Sequence, residues 1–441
     1  MSAADPRSAP PDARAPDVSE DPRTPARVPR TAWIRLGACT GAAALLQLDG
    51  TLITVALPSV ARGLDTSNGF TSLLLSGYFA AYALMPLPGG ALVDRFGARR
   101  PALLGLCVFA VGATAGALTL STGMLLATRI IQGAGAGIVS PAALAGAVSG
   151  FSPERRGSAL GIWGASAGLA NLVGPLLGGL LTLTLGWRAD WWALVPLALV
   201  AIYAIVRHLP ATTGDGRRAT EHPASNRVVL AATLAAAITF AVMIGSFYLA
   251  EQYLQRVAGY SPLGASTVLV AVALLVGAAA PLAGRLVDRH GERVPGMLGF
   301  LAAGLGLGIL GIPAVSLRSA ASIAPLVPIG LGLGTLFVAT SRAALNATPT
   351  VSHGRASAML SLGRLLGAAA GASLAGTALA GGVSAAALHT ELLWACALCI
   401  LAGIPASAMF GRPRRASAEC AGAEVSVAAL RYRGHLLNDT R

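Results

Sequence analysis

Apolar residues in this 441-residue chain do not alternate with polar ones. They come in runs of about twenty, separated by short polar breaks. A helix of that length spans the roughly 30 Å hydrocarbon core of a bilayer. Twelve such runs are predicted as helices, near residues 33–61, 71–93, 101–120, 124–148, 157–182 and 188–207, then 227–255, 263–287, 294–313, 321–346, 355–381 and 389–410. The runs starting near Gly157 and His353 are rich in glycine rather than leucine, as helix-packing faces in membranes are. Residues 1–32, 208–226 and 411–441 carry no apolar periodicity and read as a disordered tail, a polar linker and a second tail.

One polar break is repeated. Gly90–Pro101 reads G-A-L-V-D-R-F-G-A-R-R-P, and 194 positions later Gly284–Pro295 reads G-R-L-V-D-R-H-G-E-R-V-P. That period is too long for a solenoid and is about half of the apolar region. It predicts an all-α membrane protein made of two six-helix, pseudo-symmetric bundles, 33–207 and 227–410, related as a parallel repeat.

Composition agrees: 54% of residues are hydrophobic and only 12% charged, against about 25% charged in ordinary soluble domains. The net charge of +13 would suit a nucleic-acid partner, but its placement excludes that reading. All 32 basic residues are arginine. On the spans above, 25 of them fall on the side of the two termini, four on the other side and three within spans. The positive-inside rule then puts both termini in the cytoplasm and the chain in the cell membrane as a multi-pass protein. Cys396 and Cys399 read as two small residues on one helix face.

The candidate chemistry is the charge that interrupts apolar runs. Asp49 lies mid-span in L-Q-L-D-G-T-L-I-T-V. A bare carboxylate there is costly, so it faces a cavity or takes a proton. Arg129 cannot discharge and needs an anion or carbonyl within the bundle; Gln132 lies one turn away on the same side. Glu251, late in its span, is a second candidate acid beside Gln252. Arg342 and Arg364 fall near inner helix ends, where snorkelling is the default. Gly164 and Gly168 share a helix face, as do Gly174 and Gly178, and Pro175 should bend that span. His290 and His353 are isolated loop histidines. With no metal-ligand spacing, phosphate loop or nucleophile triad in the sequence, an enzyme is not expected.

These motifs resemble the major facilitator superfamily, in its drug:proton antiporter branch. The loop Gly90, Asp94, Arg95, Gly97, Arg99, Arg100 looks like the superfamily's signature between spans two and three. Arg129 with Gln132 and Gly133 resembles its span-four motif, and the run ending in Gly174-Pro175 its antiporter motif. Leu48–Pro58 and Tyr253–Leu263 are similar to segments of the branch whose typical members have fourteen spans. Residues 208–226 are too short to hold the two extra spans. Thr54 stands where that branch usually has asparagine, and Asp190 is an unusual acid beside Trp191 and Trp192. The resemblance implies a monomeric exporter of small organic molecules that needs no cofactor and runs on the proton motive force. Asp49 would carry the proton and Arg129 would tune it. Gln132, Asn171, Glu251 and Gln252 are candidates for the substrate cavity. Asp94 would lock the cytoplasmic gate against the helix starting near Arg355, with Asp288 in the second copy mattering less. An uncoupled facilitator or uptake carrier of the same fold is the alternative, and a transporter-like sensor a more distant one.

Overall fold

A computed structural model describes residues 28–66, 68–211, 226–259, 262–312, 323–349, 352–379 and 384–411. The candidate side chains of Asn171 and Glu251, most of the linker and nearly all of both tails lie outside the described residues.

The first half contains α1 (Arg30–Gly63), α2 (Asn68–Leu84), α3 (Pro86–Phe96), α4 (Arg99–Ala117), α5 (Thr122–Val148), α6 (Arg156–Leu185) and α7 (Arg188–His208). The second contains α8 (Arg227–Arg256), α9 (Pro262–His290), α10 (Arg293–Leu310), α11 (Ile323–Asn346), α12 (His353–Leu379) and α13 (Ala385–Leu398), which continues through a π turn at Cys399–Gly403 into α14 (Ile404–Ala408). Ten of the described helices are long and apolar enough to cross a membrane. The helices covering the second and eighth predicted spans are outside that number.

The second span, read as one run over 71–93, is divided. Pro86 has no N–H for the carbonyl one turn back and its ring crowds that turn, so α2 stops at Leu84 and α3 restarts at Pro86. In the last span the extra residue of the π turn lies just ahead of Pro405, a local unwinding typical of such bulges. By contrast, α6 is uninterrupted through Pro175.

Equivalent helices make equivalent contacts. In the first half α4 packs on α5 and α7, and α1 on α6; in the second, α10 packs on α11 and α13, and α8 on α12. The halves meet along two symmetric seams, α6 against α9 and α12 against α3. Glycine makes this closeness possible. A Cβ at Gly164 would press on Ala280 and Phe337, and one at Gly168 on Gly277, whereas Gly174 and Gly178 lie against Thr51 and Leu52 of α1. One stripe of α6 thus faces the other half and the next faces α1, which is the helix that carries Asp49.

Candidate functional site

Three features make up the site: a buried ion pair, a cavity beside it, and two locks at one end of the bundle.

The ion pair joins α1 to α5. Asp49 and Arg129 are each fully buried. Arg129 Nη1 donates to Asp49 Oδ1 at 2.8 Å and Oδ2 at 3.0 Å, and to Gln132 Oε1 at 3.1 Å. The guanidinium stacks on the Tyr78 ring, 4.2 Å from its centroid, and the Tyr78 hydroxyl donates to Leu46 O at 3.2 Å. Arg129 Nε and Nη2 and Gln132 Nε2 are buried with no partner among the described residues. Burying two charges costs several kcal/mol per ion, repaid only when every remaining hydrogen-bonding position is met. Here three donors go unmet, so stability does not account for the pair.

The cavity, about 280 Å³, lies between the halves. Its walls come from α1 (Gln47, Gly50, Thr51), α2 (Phe79, Tyr82), α5 (Ser140), α6 (Trp163, Ser166), α8 (Phe240, Met243), α11 (Phe337) and α12 (Ser361, Arg364). Asp49 is not exposed to it. Its α1 neighbours form the wall while its carboxylate points into the bundle, so the expected cavity acid is sealed behind the lining in this conformation. Gln132 is likewise committed to Arg129 and packs against Gly112. Gln252 is half-buried and is not among the described lining residues of this cavity.

The locks are the two copies of the repeated loop. Asp94 accepts from the backbone N–H of Gly354 at 2.8 Å and of Arg355 at 3.3 Å, with Arg355 Nε 3.5 Å away. The carboxylate thus caps the N-terminus of α12, where the free amides and helix dipole favour negative charge. Asp288 does the same at α6, accepting from the N–H of Gly157 at 2.8 Å and of Ser158 at 2.9 Å, and from Ser158 Oγ. The first glycine of each motif explains the reach. Gly90 lies against Gly354, and Gly284 against Gly157, so closely that a Cβ on any of them would strike backbone. Gly97 and its repeat partner Gly291 both take φ of 76°, a conformation open to glycine. Arg95 stacks on Phe96 at 5.0 Å, and Arg99 and Arg100 open α4.

The second lock carries the larger network of contacts. Arg342 is buried rather than snorkelling: it lies 3.6 Å from Glu292 and 3.9 Å from Asp288 and donates to the carbonyls of Val287, Pro153 and Glu154. Arg156 donates to Asn346 Oδ1 at 2.8 Å, and Asn346 to Glu292 at 2.8 Å. Position 98, the repeat mate of Glu292, is alanine, so the first lock has no such network. Apart from Ser140–Ser361, the described hydrogen bonds between the halves all lie at this arginine-rich end.

Two further readings are corrected. Arg364 stands about 16 Å along α12, is nine-tenths buried and lines the cavity. His353 is buried at the start of α12 rather than free in a loop. Depth inside an apolar run, the signal that singled out Asp49, also applied to Arg364. Asp190 is buried too and accepts from Thr182 Oγ1 at 2.9 Å, tying α7 to α6.

Comparison with known proteins agrees with this architecture. The sequence profile described as Major Facilitator Superfamily matches residues 39–372, and again 233–436. The multidrug resistance protein Stp of Mycobacterium tuberculosis is 27% identical over 77% of this chain and 74% of its own length. A tetracenomycin C resistance and export protein of Streptomyces glaucescens is 25% identical over 79% and 76%. An uncharacterised MFS-type transporter of M. tuberculosis is 36% identical, over 41% of this chain and 31% of its own length; this chain therefore spans under a third of that relative. Among solved structures, the E. coli fucose:proton symporter superposes with a TM-score of 0.71 at 14% identity, covering 87% of this chain and 100% of that one. That likeness concerns the fold.

Two outcomes are expected. Losing either partner of the ion pair strands the other, but unequally, since a carboxyl can take a proton and a guanidinium cannot. Asp49→Leu should therefore destabilise the protein by about 3–5 kcal/mol and Arg129→Met by clearly less, read as thermal unfolding in detergent; equal losses would contradict this. The second outcome concerns the first lock. Burial pushes the Asp94 carboxyl up to about 6, against the lowering pull of the Gly354 amide, Arg355 and its amide. In the opened loop, in water, it would titrate near 4. The closed lock therefore holds the proton more tightly, and acidification through that window should favour closure. Spin labels at Arg100 and Val294 should report a smaller open population at pH about 5 than at pH about 7. Asp94→Asn should weaken that dependence. A shift toward opening on acidification would contradict the sign.

Proposed function

This chain is a member of the Major Facilitator Superfamily, and we propose that it exports small organic molecules in exchange for protons by alternating access. The relatives named for multidrug resistance and for tetracenomycin C export support the direction and the substrate class. The observation that carries the coupling is the buried Asp49–Arg129 pair, one residue behind the cavity wall at Gly50.

The ionised pair ties α1 to α5. A proton on Asp49 removes the negative acceptor, leaving Arg129 with Gln132 Oε1 and the Tyr78 face. The grip of α5 on α1 then loosens. Because α1 supplies Gln47, Gly50 and Thr51 to the cavity and packs on the α6 glycines, its protonation state is felt both by bound substrate and by the helix that forms one seam between the halves. Substrate and proton need not meet, since each acts on α1 from its own side.

The orientation that fits is the one with both termini and the two locks in the cytoplasm, in the cell membrane. The described structure is then closed on its cytoplasmic side. One proton moving inward at ~100 mV supplies about 2.3 kcal/mol, and each pH unit about 1.4 kcal/mol. Together they sustain a gradient of a neutral substrate of roughly a few hundred-fold.

Asn at position 49 keeps the size and one acceptor oxygen but cannot release a proton. In proteoliposomes, Asp49→Asn should lose pH-driven accumulation of substrate while part of the substrate counterflow survives. Met243, the repeat mate of Asp49, offers no substitute acid. Accumulation that still follows an imposed pH gradient in Asp49→Asn would place the coupling elsewhere, with Glu251 the next acid to replace.

A further inference from the structure

We propose, on top of the export reading, that the central cavity selects organic anions: planar aromatic acids in their ionised form, with the acid group on Arg364. Four arginines are buried among the described residues, and three have their partners within the protein. Arg129 holds Asp49, Arg156 holds Asn346 Oδ1, and Arg342 holds carbonyls, Asp288 and Glu292. Arg364 has no ion-pair partner among the described residues. Its Nη2 donates to Ser341 Oγ at 2.5 Å, a hydroxyl whose own proton goes to Phe337 O at 2.6 Å. Its Nε is buried without a partner among the described residues. A guanidinium keeps its charge in any surroundings, so an uncompensated one in a cavity wall calls for an anion.

The rest of the cavity fits the same ligand. Phe337 lies under the guanidinium at 4.2 Å and Phe240 at 5.7 Å. These contacts repay part of the desolvation while leaving the donor fork without a carboxylate, the group it matches two-pronged. Phe79 and Trp163 add aromatic surface. No acid is among the described lining residues, because Asp49 is sealed behind the wall against Arg129. An organic cation would therefore meet an unpaired like charge and find no counter-ion.

The test uses three probes of one shape: 2-naphthoate, 2-naphthamide and 2-naphthylmethylammonium. Binding to the purified full chain in lipid nanodiscs is measured by calorimetry at neutral pH. A charge-assisted bond in this setting predicts naphthoate tighter than the amide by about ten- to a hundredfold, with the ammonium weakest. Arg364→Gln should bring naphthoate down to the affinity of the amide. Arg364→Lys, which keeps the charge and loses the planar fork, should fall between. If Arg364→Gln does not purify folded, Arg364→Lys decides: a reduced preference supports the assignment, and an unchanged one overturns it. Ammonium binding equal to or tighter than naphthoate, a preference that survives Arg364→Gln, or binding of none of the probes would each overturn it. Equilibrium binding needs no flux, so the two readings fail separately. Loss of the preference with pH-driven efflux intact removes only the anion assignment. Absence of efflux with the preference intact removes only the export reading.

Discussion

The bilayer core has no water to offer a charge, and this chain nonetheless buries an aspartate and an arginine there. A well-packed apolar pair in place of such a bridge is often as stable or more so, and the three unmet donors around Asp49 and Arg129 make the arrangement poorer still as a scaffold. The pair makes physical sense as a joint that can be in two states. Ionised, it ties α1 to α5; a proton on Asp49 would remove the negative acceptor. Much of the rest of the first half serves that joint. Tyr78 supplies a ring face for the cation, Gly112 leaves room for Gln132, and the glycines of α6 let α1 lie close enough for its position to be felt across the bundle.

The repeat divides the labour. Both halves carry the same lock, a carboxylate seated on the N-terminal amides of a helix from the other half. Only the first half carries the ion pair. In the second, Met243 stands at the mate of Asp49 and borders a small apolar pocket with Phe247 and Leu254. Charge in the second half is instead found at the cavity, in Arg364, and at the closed end, in the Arg342 network. The ion pair thus belongs to one bundle, while both bundles shape the cavity.

Much of this was legible in the sequence, wherever a charge broke an apolar run. Asp49, Arg129 and the two charged loops stand out by that rule, and the fixed 194-residue offset exposes the two-bundle plan. What was not legible is direction. Spacing places Gln132 near Arg129 but does not say that its amide turns inward, away from the cavity. Arg364 obeyed the same rule as Asp49 yet was read as a helix-end residue, because a run of small residues gives little sense of depth. The aromatic wall comes from helices far apart in the chain, and no local pattern joins Phe79, Trp163, Phe240 and Phe337. The network around the second lock was hidden for a related reason: Glu292, Asn346 and Arg156 come together only in the folded bundle.

The claim on which the rest depends is that Asp49 itself takes up and gives back a proton. Infrared difference spectroscopy of the purified full chain, recorded between neutral and acidic pH, reads this directly. The buried pair predicts that acidification converts a carboxylate signal into the carbonyl stretch of a dehydrated carboxylic acid. Asp94 titrates in the same range, so the spectrum should hold a second carbonyl component; the band of the dehydrated acid should be lost in Asp49→Asn and kept in Asp94→Asn, which loses only the other component. The same band persisting in Asp49→Asn would contradict the assignment of the proton to this residue.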